Sequence, residues 1–520
     1  MILGYLRTKS RHMKIFPTAA VKRIDAYTIE HEPISSIMLM ERAAAALTRA
    51  ILARYPQGPF AIFAGQGNNG GDALAVARML AVGGHKVDVW LVAPAERLSP
   101  DCATNLHSLQ AMAAGGLFAL TLHFVCGSFT PPQMVPGAVV IDGLFGSGLT
   151  RPVEGLYATV IKYINSLPCD VVAIDIPSGL MGEDNSGNNY SNIVKATVTY
   201  TLQFPKLSML FAENAPYVGV FETLDISLSK EAMDNEPTPY YITTLADIKP
   251  LLPRRAKHAH KGNFGRALLV AGSEGMAGAS VLAARAALRS GVGLLTLCVP
   301  HCNNEIVQRS VPEAMTIPSF GEQYISAPPA VDKYTAVAVG PGLGQAPATE
   351  DALLALVDAC RVPMVVDADA LNILSRNREY LSRLPQGSII TPHIGEFTRL
   401  AGECSSSYER LQRAMALARE NNICIVLKGA YTAVVTPQGT VSFNTTGNAG
   451  MATGGSGDTL TGILLALLAQ GMDAPSAAQL GVYIHGFAGD IAAARVGETA
   501  LIASDIIDSL PAAWSETARY

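Results

Sequence analysis

A short apolar run recurs along this chain, each time followed by a glycine-rich turn and an amphipathic stretch, and this alternation limits the folds that the chain can adopt. Val, Ile and Leu dominate the runs, which include FAIFAG, VDVWLV and CDVVAIDIPSG in the first half and RALLVAGS, AVAVGPGLG and PMVVDADALN in the second. Continuous apolar strands of this kind are buried on both faces of a parallel sheet, whose strands are joined through helices. The pattern therefore predicts an α/β fold in both halves of the chain.

The alternation is interrupted between about residues 227 and 262, where the segment DNEPTPYY is followed by the basic segment LPRRAKHAHKG. A chain of 520 residues is also too long for one ordinary hydrophobic core. We therefore expect a first domain over residues 1–226, a linker over 227–260 and a second domain over 261–520.

The composition argues against several kinds of partner. The net charge of −5 comes without a long run of one sign, so a nucleic-acid partner is not expected. Eight cysteines without a C-x-x-C pair fit a reducing compartment and exclude a disulfide scaffold, so we expect a cytoplasmic protein. The chain contains no run of about eighteen apolar residues, so no membrane-spanning helix is predicted. The first residues, MILGYLRTKSRHMKIF, lack the apolar core of a leader, and Met13 is an alternative start to Met1.

The strongest local motif of the first half is Gly65–Asp72, GQGNNGGD, between a predicted strand and a predicted helix. Glycines there let the backbone approach an anion, and the helix N-terminus offers unpaired N–H groups. A lone match to G-x-G-x-x-G is weak evidence for a dinucleotide site. A tight turn alone would need fewer glycines and leaves Asn68 and Asn69 unexplained, so we interpret the motif as a ligand loop.

Two further motifs begin with an acid at the carboxyl end of a strand: Asp142 in DGLFGSGLTRP and Asp175 in DIPSG. Ligands of open α/β sheets bind at that edge. Either acid could instead cap the turn that follows it. Because three glycine-bearing turns point at one edge, the pattern favours a binding site.

In the second half, the run Thr453–Asp458, TGGSGD, precedes an apolar helix predicted over Thr459–Ala469. The amides of Gly455–Gly457 would form an anion hole at the helix N-terminus, and Asp458 lies where a base could meet a hydroxyl that is being phosphorylated. The alternative is an ordinary N-cap aspartate, which requires less glycine than this run contains. The absence of any Gly-Lys dipeptide excludes a P-loop.

Two polar residues before this run are further candidates. Lys428 ends a strand, which suits a phosphate contact, although a surface lysine beside a turn is the alternative. His393 follows the strand SIITP, where a hydrogen-bonded loop histidine is the commoner outcome. Neither HAH at 258–260 nor CVPHC at 298–302 has the spacing of a closed zinc site, so no metal cluster is predicted there.

These motifs, in this order, resemble those of the bifunctional NAD(P)H-hydrate repair enzymes. The resemblance rests on GQGNNGGD, DGLFGSGLTRP, DIPSGL, QFPKLSML, HKGNFGRALLVAGS, GPGLG, DADALN, TPHIGEF, LKGAYT and NAGMATGGSGD, and it spans nearly the whole chain from about Phe16. It implies an N-terminal Rossmann-like three-layer domain that interconverts the R and S hydrates of NADH and NADPH, called NADHX and NADPHX. It also implies a C-terminal ribokinase-like α/β domain that dehydrates the S form at the expense of ADP.

For the dehydratase, the resemblance implies that Asp458 deprotonates the C6 hydroxyl, that ADP is the co-substrate and that Mg²⁺ neutralises its phosphates. The residues implied to contact the hydrate are Ala279, Gly342, His393 and Asp458. Those implied to contact the nucleotide are Lys428, Gly429, Ala430, Tyr431, Thr432 and Gly457.

For the epimerase, the resemblance implies a K⁺ ion on three oxygen ligands, Asn69, Asp142 and Ser178, which suit a hard cation. Asp175 is the candidate acid or base, and Lys206 is a weaker candidate. The residues implied to hold the substrate are Gly67, Asn68, Gly70, Gly146, Ser147, Gly148, Leu149, Thr150, Arg151, Pro152 and Asp175. Members of the family form homo-oligomers, which we expect here too.

Two other functions remain open from the residues alone. The TGGSGD anion hole also suits a small-molecule kinase of the ribokinase-like superfamily, which would accumulate a phosphorylated alcohol. The first half could alternatively be a module that only recognises a nucleotide or joins subunits. The residues do not distinguish ADP from ATP, because a phosphate cradle made of backbone does not count phosphates.

Overall fold

The computed structural model describes residues 13–93 and 97–519. The first twelve residues, with the Met1 start and most of the segment in which no leader is expected, lie outside this part of the chain. The chain divides into two compact units, an N-terminal unit of residues 14–238 with 406–408 and a C-terminal unit of residues 239–405 and 409–519 with residue 13. No helix within the described residues is both long and apolar enough to span a membrane.

The N-terminal unit is built on one parallel sheet. Its elements follow the short strand β1 (Met13–Ile15) and are α1 (Thr18–His31), α2 (Ser36–Arg54), β2 (Phe60–Ala64), α3 (Asn68–Val82), β3 (Val87–Leu91), α4 (Pro100–Ala114), β4 (Leu120–Phe124), β5 (Val139–Gly143), α5 (Gly155–Ser166), β6 (Val171–Ile174), β7 (Val198–Leu202), α6 (Ala215–Val218), β8 (Val220–Leu224) and α7 (Lys230–Asn235). The strands are arranged β4-β3-β2-β5-β6-β7-β8. This is the Rossmann order: β3 and β4 extend the sheet on one side of β2, and the chain then returns to the other side of β2 with β5.

Helices cover both faces of this sheet, because the side chains of a strand alternate between the two faces. Phe60 and Ile62 of β2 pack against α2, α3 and α4. Ala61 and Phe63 of the same strand pack on the opposite side with α5. The predicted three-layer α/β arrangement of the first half is therefore confirmed.

The C-terminal unit is built on a larger, mixed sheet. Its strands are β9 (Tyr240–Ile242), β10 (Arg266–Val270), β11 (Leu294–Val299), β12 (Met315–Pro318), β13 (Ala336–Val339), β14 (Met364–Val366), β15 (Ile389–Ile390), β16 (Cys424–Leu427), β17 (Ala433–Val435) and β18 (Val441–Phe443). Its helices are α8 (Leu245–Ile248), α9 (Ala277–Arg289), α10 (His301–Ser310), α11 (Pro347–Ala359), α12 (Ala368–Arg376), α13 (Ile394–Ala401), α14 (Ser407–Asn421), α15 (Ser456–Ala469), α16 (Ala474–Val496) and α17 (Ala503–Arg519).

The strands of this sheet run β9-β18-β17-β16-β15-β14-β13-β10-β11-β12. Those from β16 to β12 are parallel, as the apolar runs predict. The strand β17 is antiparallel to both neighbours, which the apolar pattern does not predict. The reason is the short turn 428–432 between β16 and β17, which leaves no room for the crossover that a parallel pair needs.

The segment 227–260, for which a linker is predicted, contains regular structure. It carries α7, β9 and α8, and the division between the two units falls between residues 238 and 239. The strand β9 pairs with β18 and so belongs to the sheet of the C-terminal unit.

The apolar helix α15 lies in the core of the C-terminal unit. Every residue from Thr459 to Ala469 is buried, as expected of a helix that is apolar all round. It packs closely on α9 at Gly462. A Cβ at this position would lie far inside van der Waals contact of the carbonyl oxygen of Ala283. Only glycine allows this approach, which fixes the position of the α15 N-terminus beside the carboxyl ends of the strands.

We expect the substitution Gly462→Ala to destabilise the C-terminal unit by about 1–3 kcal/mol, the usual cost of overpacking a core. The added methyl group must push α15 away from the backbone of α9. Denaturant unfolding measures the change. Gly278→Ala in α9 is the control, because a Cβ there meets open space and alanine favours a helix. Equal stability of the two variants would contradict the close packing of these helices.

Candidate active sites

The first candidate site lies where the strand order of the N-terminal unit reverses, between β2 and β5, which is where ligands bind in such sheets. The loop after β2 packs on the loop after β5, where a Cβ on Gly65 would overlap the carbonyl oxygen of Leu144. It also packs on itself, since a Cβ on Gly70 would overlap the carbonyl oxygen of Gly65. Gly70 is buried, so the structure shows a packing reason for this predicted substrate residue. Gly67 and Asn68 are exposed at the start of α3, where Gly67 is the N-cap.

Asp142, at the end of β5, is fully buried. It accepts hydrogen bonds from the hydroxyl of Ser178 (2.6 Å), the amide of Ser178 (2.8 Å) and the amide of Leu144 (3.3 Å). Burial raises the pKa of Asp142 to about 6, and these hydrogen bonds oppose the rise. The hydroxyl of Ser178 also accepts the amide of Phe145 at 2.8 Å, so it joins the loops after β5 and β6.

Asn69 lies in the first turn of α3 and is also buried. Its Nδ2 has no hydrogen-bond partner among residues 13–93 and 97–519. Its Oδ1 lies 3.3 Å from the position of a Cβ on Gly146, four residues after Asp142. The three predicted cation ligands thus line adjoining turns at one sheet edge, where Asp142 and Ser178 are in direct contact.

Asp175 forms a buried ion pair with Lys206. The backbone of Asp175 is left-handed, with φ of 66°, which turns the chain sharply after β6. The ammonium group of Lys206 also donates to the hydroxyl of Thr201 (3.0 Å) and the carbonyl of Phe204 (3.2 Å). Burial alone would raise the pKa of Asp175, but Lys206 and backbone amides, including that of Ser147 at 3.3 Å, hold the pKa below its ordinary value. This carboxylate is therefore ionised at neutral pH.

Two further carboxyl groups face this pair, and the sequence analysis missed their roles. Burial and the charge of Asp175 raise the pKa of Asp25, in α1, to about 6, although Lys206 lowers it. Burial, with the charges of Asp175 and Asp25, raises the pKa of Asp72 well above its ordinary value. The site therefore combines an ionised carboxylate, Asp175, with two carboxyl groups whose pKa values are raised. Asp72 could have been found as the last residue of GQGNNGGD, whereas no local motif marks Asp25.

The loop 146–152 between β5 and α5 carries most of the residues predicted to hold the substrate. Gly148, Thr150 and Arg151 are exposed, and Gly146, Ser147, Leu149 and Pro152 are partly exposed. A Cβ on Gly148 would meet open space, so this part of the loop is accessible to a ligand.

The second candidate site lies at the corresponding reversal in the C-terminal unit, between β10 and β13. A Cβ on Gly340 would overlap the carbonyl oxygen of Asp367, so the loops after β13 and β14 are in contact. A Cβ on Gly342 would lie 3.0 Å from the Cβ atoms of Ala279 and Met276. The structure therefore brings together Ala279, in α9, and Gly342, in the loop after β13, which are two of the four residues predicted to contact the hydrate.

Lys428 is the centre of a charged cluster in this site. Its ammonium group donates to Asp367 at 2.8 Å and lies 3.8 Å from Glu396. The hydroxyl of Thr461, in α15, donates to the other oxygen of Asp367 at 2.7 Å. Burial would lower the pKa of Lys428, but Asp367 and Glu396 raise it overall. A Cβ on Gly457 would lie 3.5 Å from the lysine nitrogen, which places the TGGSGD loop directly against it.

Asp458 lies in the first turn of α15 and is partly exposed. The N-cap of this helix is Gly455, in a left-handed conformation, so Asp458 is not the N-cap aspartate of the alternative interpretation. Burial, with the charge of Asp367, raises the pKa of Asp458 to about 6, and Lys428 opposes this rise. The carboxyl group can therefore gain and lose a proton near neutral pH, as a general base must.

His393 has a structural role that the sequence left as an alternative. It is the N-cap of α13, and its Nδ1 accepts the amides of Gly395 (3.0 Å) and Glu396 (3.3 Å). The carboxylate of Glu396 accepts the amide of His393 in return, at 2.8 Å. The imidazole side chain is 53% exposed, and its Nε2 lies 3.3 Å from Oε1 of Glu396. Glu396 connects this cap with Lys428.

The predicted nucleotide residues after Lys428 form the turn between β16 and β17. The hydroxyl of Thr432 donates to the carbonyl of Gly429 at 2.9 Å, which closes the turn. Gly429 and Ala430 are exposed, and burial raises the pKa of Tyr431. The turn therefore presents backbone to a ligand beside the lysine.

Sequence reasoning assigned no role to Asp367, Glu396, Thr461 or His485. The motif DADALN, at a strand end, could have indicated Asp367. His485, in α16, lies 3.4 Å from the hydroxyl of Ser456, and burial lowers its pKa to about 4, so it is neutral. Across residues 13–93 and 97–519, no group of three His, Cys, Asp or Glu side chains is arranged to hold a metal ion.

Together, the fold and the two sites are those of a bifunctional α/β enzyme, with one candidate ligand site at the strand reversal of each unit. A family described as YjeF-related protein N-terminus matches residues 36–208, and one described as NAD(P)H-hydrate dehydratase matches residues 267–512. The bifunctional NAD(P)H-hydrate repair enzyme Nnr of Moorella thermoacetica is 38% identical over 96% of both chains. That of Escherichia coli is 32% identical over 91% of this chain and 88% of its own. This chain belongs to the family of bifunctional NAD(P)H-hydrate repair enzymes.

A solved structure is similar to the second half of the chain. It is an ADP/ATP-dependent NAD(P)H-hydrate dehydratase from Bacillus subtilis, co-crystallized with ATP and Mg²⁺. The match covers 53% of this chain and 98% of that one, with 32% identity and a TM-score of 0.47.

Proposed function

We propose that this protein repairs hydrated NADH and NADPH with two activities in one chain. An epimerase within residues 1–226 interconverts the R and S hydrates, and a dehydratase within residues 261–520 returns the S hydrate to the reduced cofactor at the expense of ADP. Family membership supports both activities. The observation that carries the dehydratase is the position of Asp458, which titrates near neutral pH at the glycine-capped start of α15 beside Lys428.

The dehydration is difficult because hydroxide is a poor leaving group. In the proposed reaction, Asp458 takes the proton of the C6 hydroxyl, and the oxygen attacks the terminal phosphoryl group of the nucleotide. The ring nitrogen then donates its electron pair and expels phosphate from C6. Loss of a proton from C5 restores the dihydropyridine ring, and the nucleotide leaves with one phosphate fewer. One hard step is thus divided into two easier ones.

The residues around Asp458 would hold the nucleotide. The amides of Gly455–Gly457 at the helix N-terminus would bind the transferring phosphoryl group, and Lys428 would contact the phosphates. Asp367, bonded to both Lys428 and Thr461, keeps the lysine in place.

The charges of this site fit a divalent cation that enters with the nucleotide. Asp367, Glu396 and Asp458 are three carboxyl groups around Lys428, which by itself cannot compensate both them and a polyphosphate. Mg²⁺ supplies the missing positive charge when it is bound to the phosphates and usually retains several water molecules. Glu396, beside Lys428, is the residue that would hold it.

We expect the kcat/KM of the dehydratase to rise with pH through about 6. Burial and Asp367 raise the pKa of Asp458 to about 6, and a general base acts only in its ionised form. Below this value the rate should fall, because the protonated carboxyl group cannot accept the hydroxyl proton. Steady-state rates between pH 5 and 8, with the S hydrate and ADP, measure the profile. A rate that is flat across this range would contradict the role of Asp458.

In the epimerase, Asp175 would act as the acid or base, with Lys206 maintaining its charge. The pair is buried and lies next to the substrate loop, whose Ser147 amide contacts Asp175. The pKa of Asp175 is below its ordinary value, so the carboxylate is available as a base. The epimerisation itself proceeds through loss of hydroxide or through ring opening.

The buried carboxyl group of Asp142 supports a K⁺ ion in this unit. No cationic side chain within the described residues pairs with it, and a buried carboxylate is costly without a positive charge. Ser178 and Asn69 add a hydroxyl and an amide oxygen, the donors that a hard cation prefers. The residues thus fit the ion, which when bound would stabilise the ionised form of Asp142.

We expect KCl to raise the thermal unfolding temperature of the N-terminal unit more than tetramethylammonium chloride at equal ionic strength, because only K⁺ is small enough to reach Asp142. Asp142→Asn should remove this difference by removing the carboxylate. Asp234→Asn, an exposed change in α7, is the control and should retain it. A wild type that responds equally to both salts would contradict the cation site.

The repair assay tests the whole proposal. A mixture of R and S hydrates is incubated with the wild type and either ADP or ATP, and the absorbance of reduced nicotinamide is followed. Complete recovery of the cofactor supports both activities. Accumulation of a phosphorylated alcohol without recovery would instead support a small-molecule kinase of the same fold.

We also propose that the protein acts in the cytoplasm as a homo-oligomer, as the family resemblance implies. All eight cysteines are free thiols, which fits a reducing compartment. Light scattering of the purified chain measures the oligomeric state.

A further inference from the structure

The start of α1 reaches the epimerase site, although α1 precedes the segment 36–208 that matches the family. The amide of Thr18 donates to the carboxylate of Glu183 at 2.6 Å. The hydroxyl of Thr18 lies 3.0 Å from the same carboxylate oxygen and 3.2 Å from the carbonyl oxygen of Ser147, and it can donate to either. Glu183 thus anchors the amide of Thr18 and holds the hydroxyl within hydrogen-bond distance of the Ser147 carbonyl.

Ser147 connects this contact with the proposed acid–base pair. Its carbonyl faces Thr18, and its amide donates to Asp175 at 3.3 Å. Gly182 lies close to both Thr18 and Lys206. A Cβ on Gly182 would lie 2.6 Å from the Thr18 hydroxyl and 4.0 Å from Cγ of Lys206. The first turn of α1, the substrate loop and the segment after β6 therefore converge beside Asp175 and Lys206.

The same helix carries Asp25, seven residues after Thr18. Seven residues are about two helical turns, so both side chains lie on the same face of α1. Burial and the charges of Asp175 and Lys206 act on Asp25, so this face of α1 is turned toward the site. The helix therefore meets the site at two points, two turns apart.

We propose that Thr18 and Glu183 are positioning residues of the epimerase, which fasten the start of α1 to Ser147 and so keep its amide on Asp175. This inference rests on the proposed epimerase function. The two residues act through Ser147 on the loop 146–152, which carries most of the residues predicted to hold the substrate. Without them the loop keeps its sequence but loses its fixed position relative to the Asp175–Lys206 pair.

The test compares the epimerase rates of the wild type and its variants, measured by chromatographic separation of the R and S hydrates without ADP. Thr18→Val removes the hydroxyl but keeps the shape of the side chain, and kcat/KM should fall about three- to tenfold, the usual effect of losing one neutral hydrogen bond. Thr18→Ser restores the hydroxyl and should stay close to wild type. Thr104→Val, which removes an exposed hydroxyl in α4, is the matched control.

The pH profile separates positioning from a general loss of structure. If the Ser147 amide no longer holds Asp175, the acidic limb of the epimerase profile should move to higher pH in Thr18→Val, since a hydrogen bond that favours the carboxylate is lost. Lys206, Asp25 and Asp72, which also face Asp175, are unchanged in this variant.

The outcomes are distinct. A wild type that does not accelerate interconversion overturns the proposed function, and the inference with it. An active wild type with an equally active Thr18→Val overturns the inference alone, as does a Thr18→Ser variant that loses as much activity as Thr18→Val. Dehydratase activity of each variant on the S hydrate shows that the chain has folded, and Glu183→Gln gives a second perturbation of the same contact.

Discussion

Asp458→Asn should abolish recovery of reduced nicotinamide from the S hydrate, with a fall in rate of about 10²–10⁴-fold, the usual contribution of a general base. Asparagine has nearly the same shape but cannot accept the hydroxyl proton. The ADP-bound site should otherwise persist, because Lys428, Asp367 and Thr461 keep their mutual contacts. Absorbance of reduced nicotinamide, followed with the S hydrate and ADP, measures the rate.

The same variant should still interconvert the R and S hydrates, because the epimerase residues lie in the other unit. The control is Asp508→Asn, which changes an exposed aspartate of α17. It should leave both activities unchanged. Near-normal dehydration by Asp458→Asn would refute the role given to this residue, and loss of epimerisation would show a general defect.

Asp175→Asn should reduce epimerisation to about 10²–10⁴-fold below the wild-type rate, the range expected when an acid or base is removed. The dehydratase then consumes only the S hydrate. A mixture of both hydrates should therefore give a fast phase whose amplitude equals the S fraction, followed by a slow phase set by the uncatalysed interconversion. With the wild type, the fast phase should continue until both hydrates have been converted to the reduced cofactor.

This variant leaves Lys206 buried without its charged partner, which costs about 3–5 kcal/mol when a buried pair is broken. The double variant Asp175→Asn/Lys206→Met removes both charges and should recover stability without recovering epimerisation. Denaturant unfolding and the two-phase assay measure the two effects. A single variant with full fast-phase amplitude would contradict the role of Asp175.

The positions of the loops could be predicted from the sequence, but several of their partners could not. Lys428 and Asp458 were predicted separately, each from its own glycine-containing motif. Asp367, which holds Lys428, is 61 residues from it and 94 residues from Thr461. Local patterns do not encode pairs at such separations, so the buried connection between two strand ends and α15 became visible only in the folded chain.

Two predicted site residues also have structural roles that local pattern left open. His393 caps α13, and Gly70 lets the loop after β2 pack on itself. The sequence predicts both as substrate contacts, because glycine and histidine in the loops after strands suit ligands as well as turns. No local pattern singles out Thr18, since threonine is common at the start of a helix.

The sequence by itself determined the α/β class, the glycine-rich turns and the resemblance to a family, because apolar spacing and turn residues are local properties of a chain. The tertiary structure decided which carboxyl groups are charged. Lys206, from the segment after β7, keeps Asp175 ionised, whereas burial and the charges of Asp175 and Asp25 raise the pKa of Asp72 well above its ordinary value. Protonation depends on burial and on charges brought in from distant segments, and neither exists until the chain has folded.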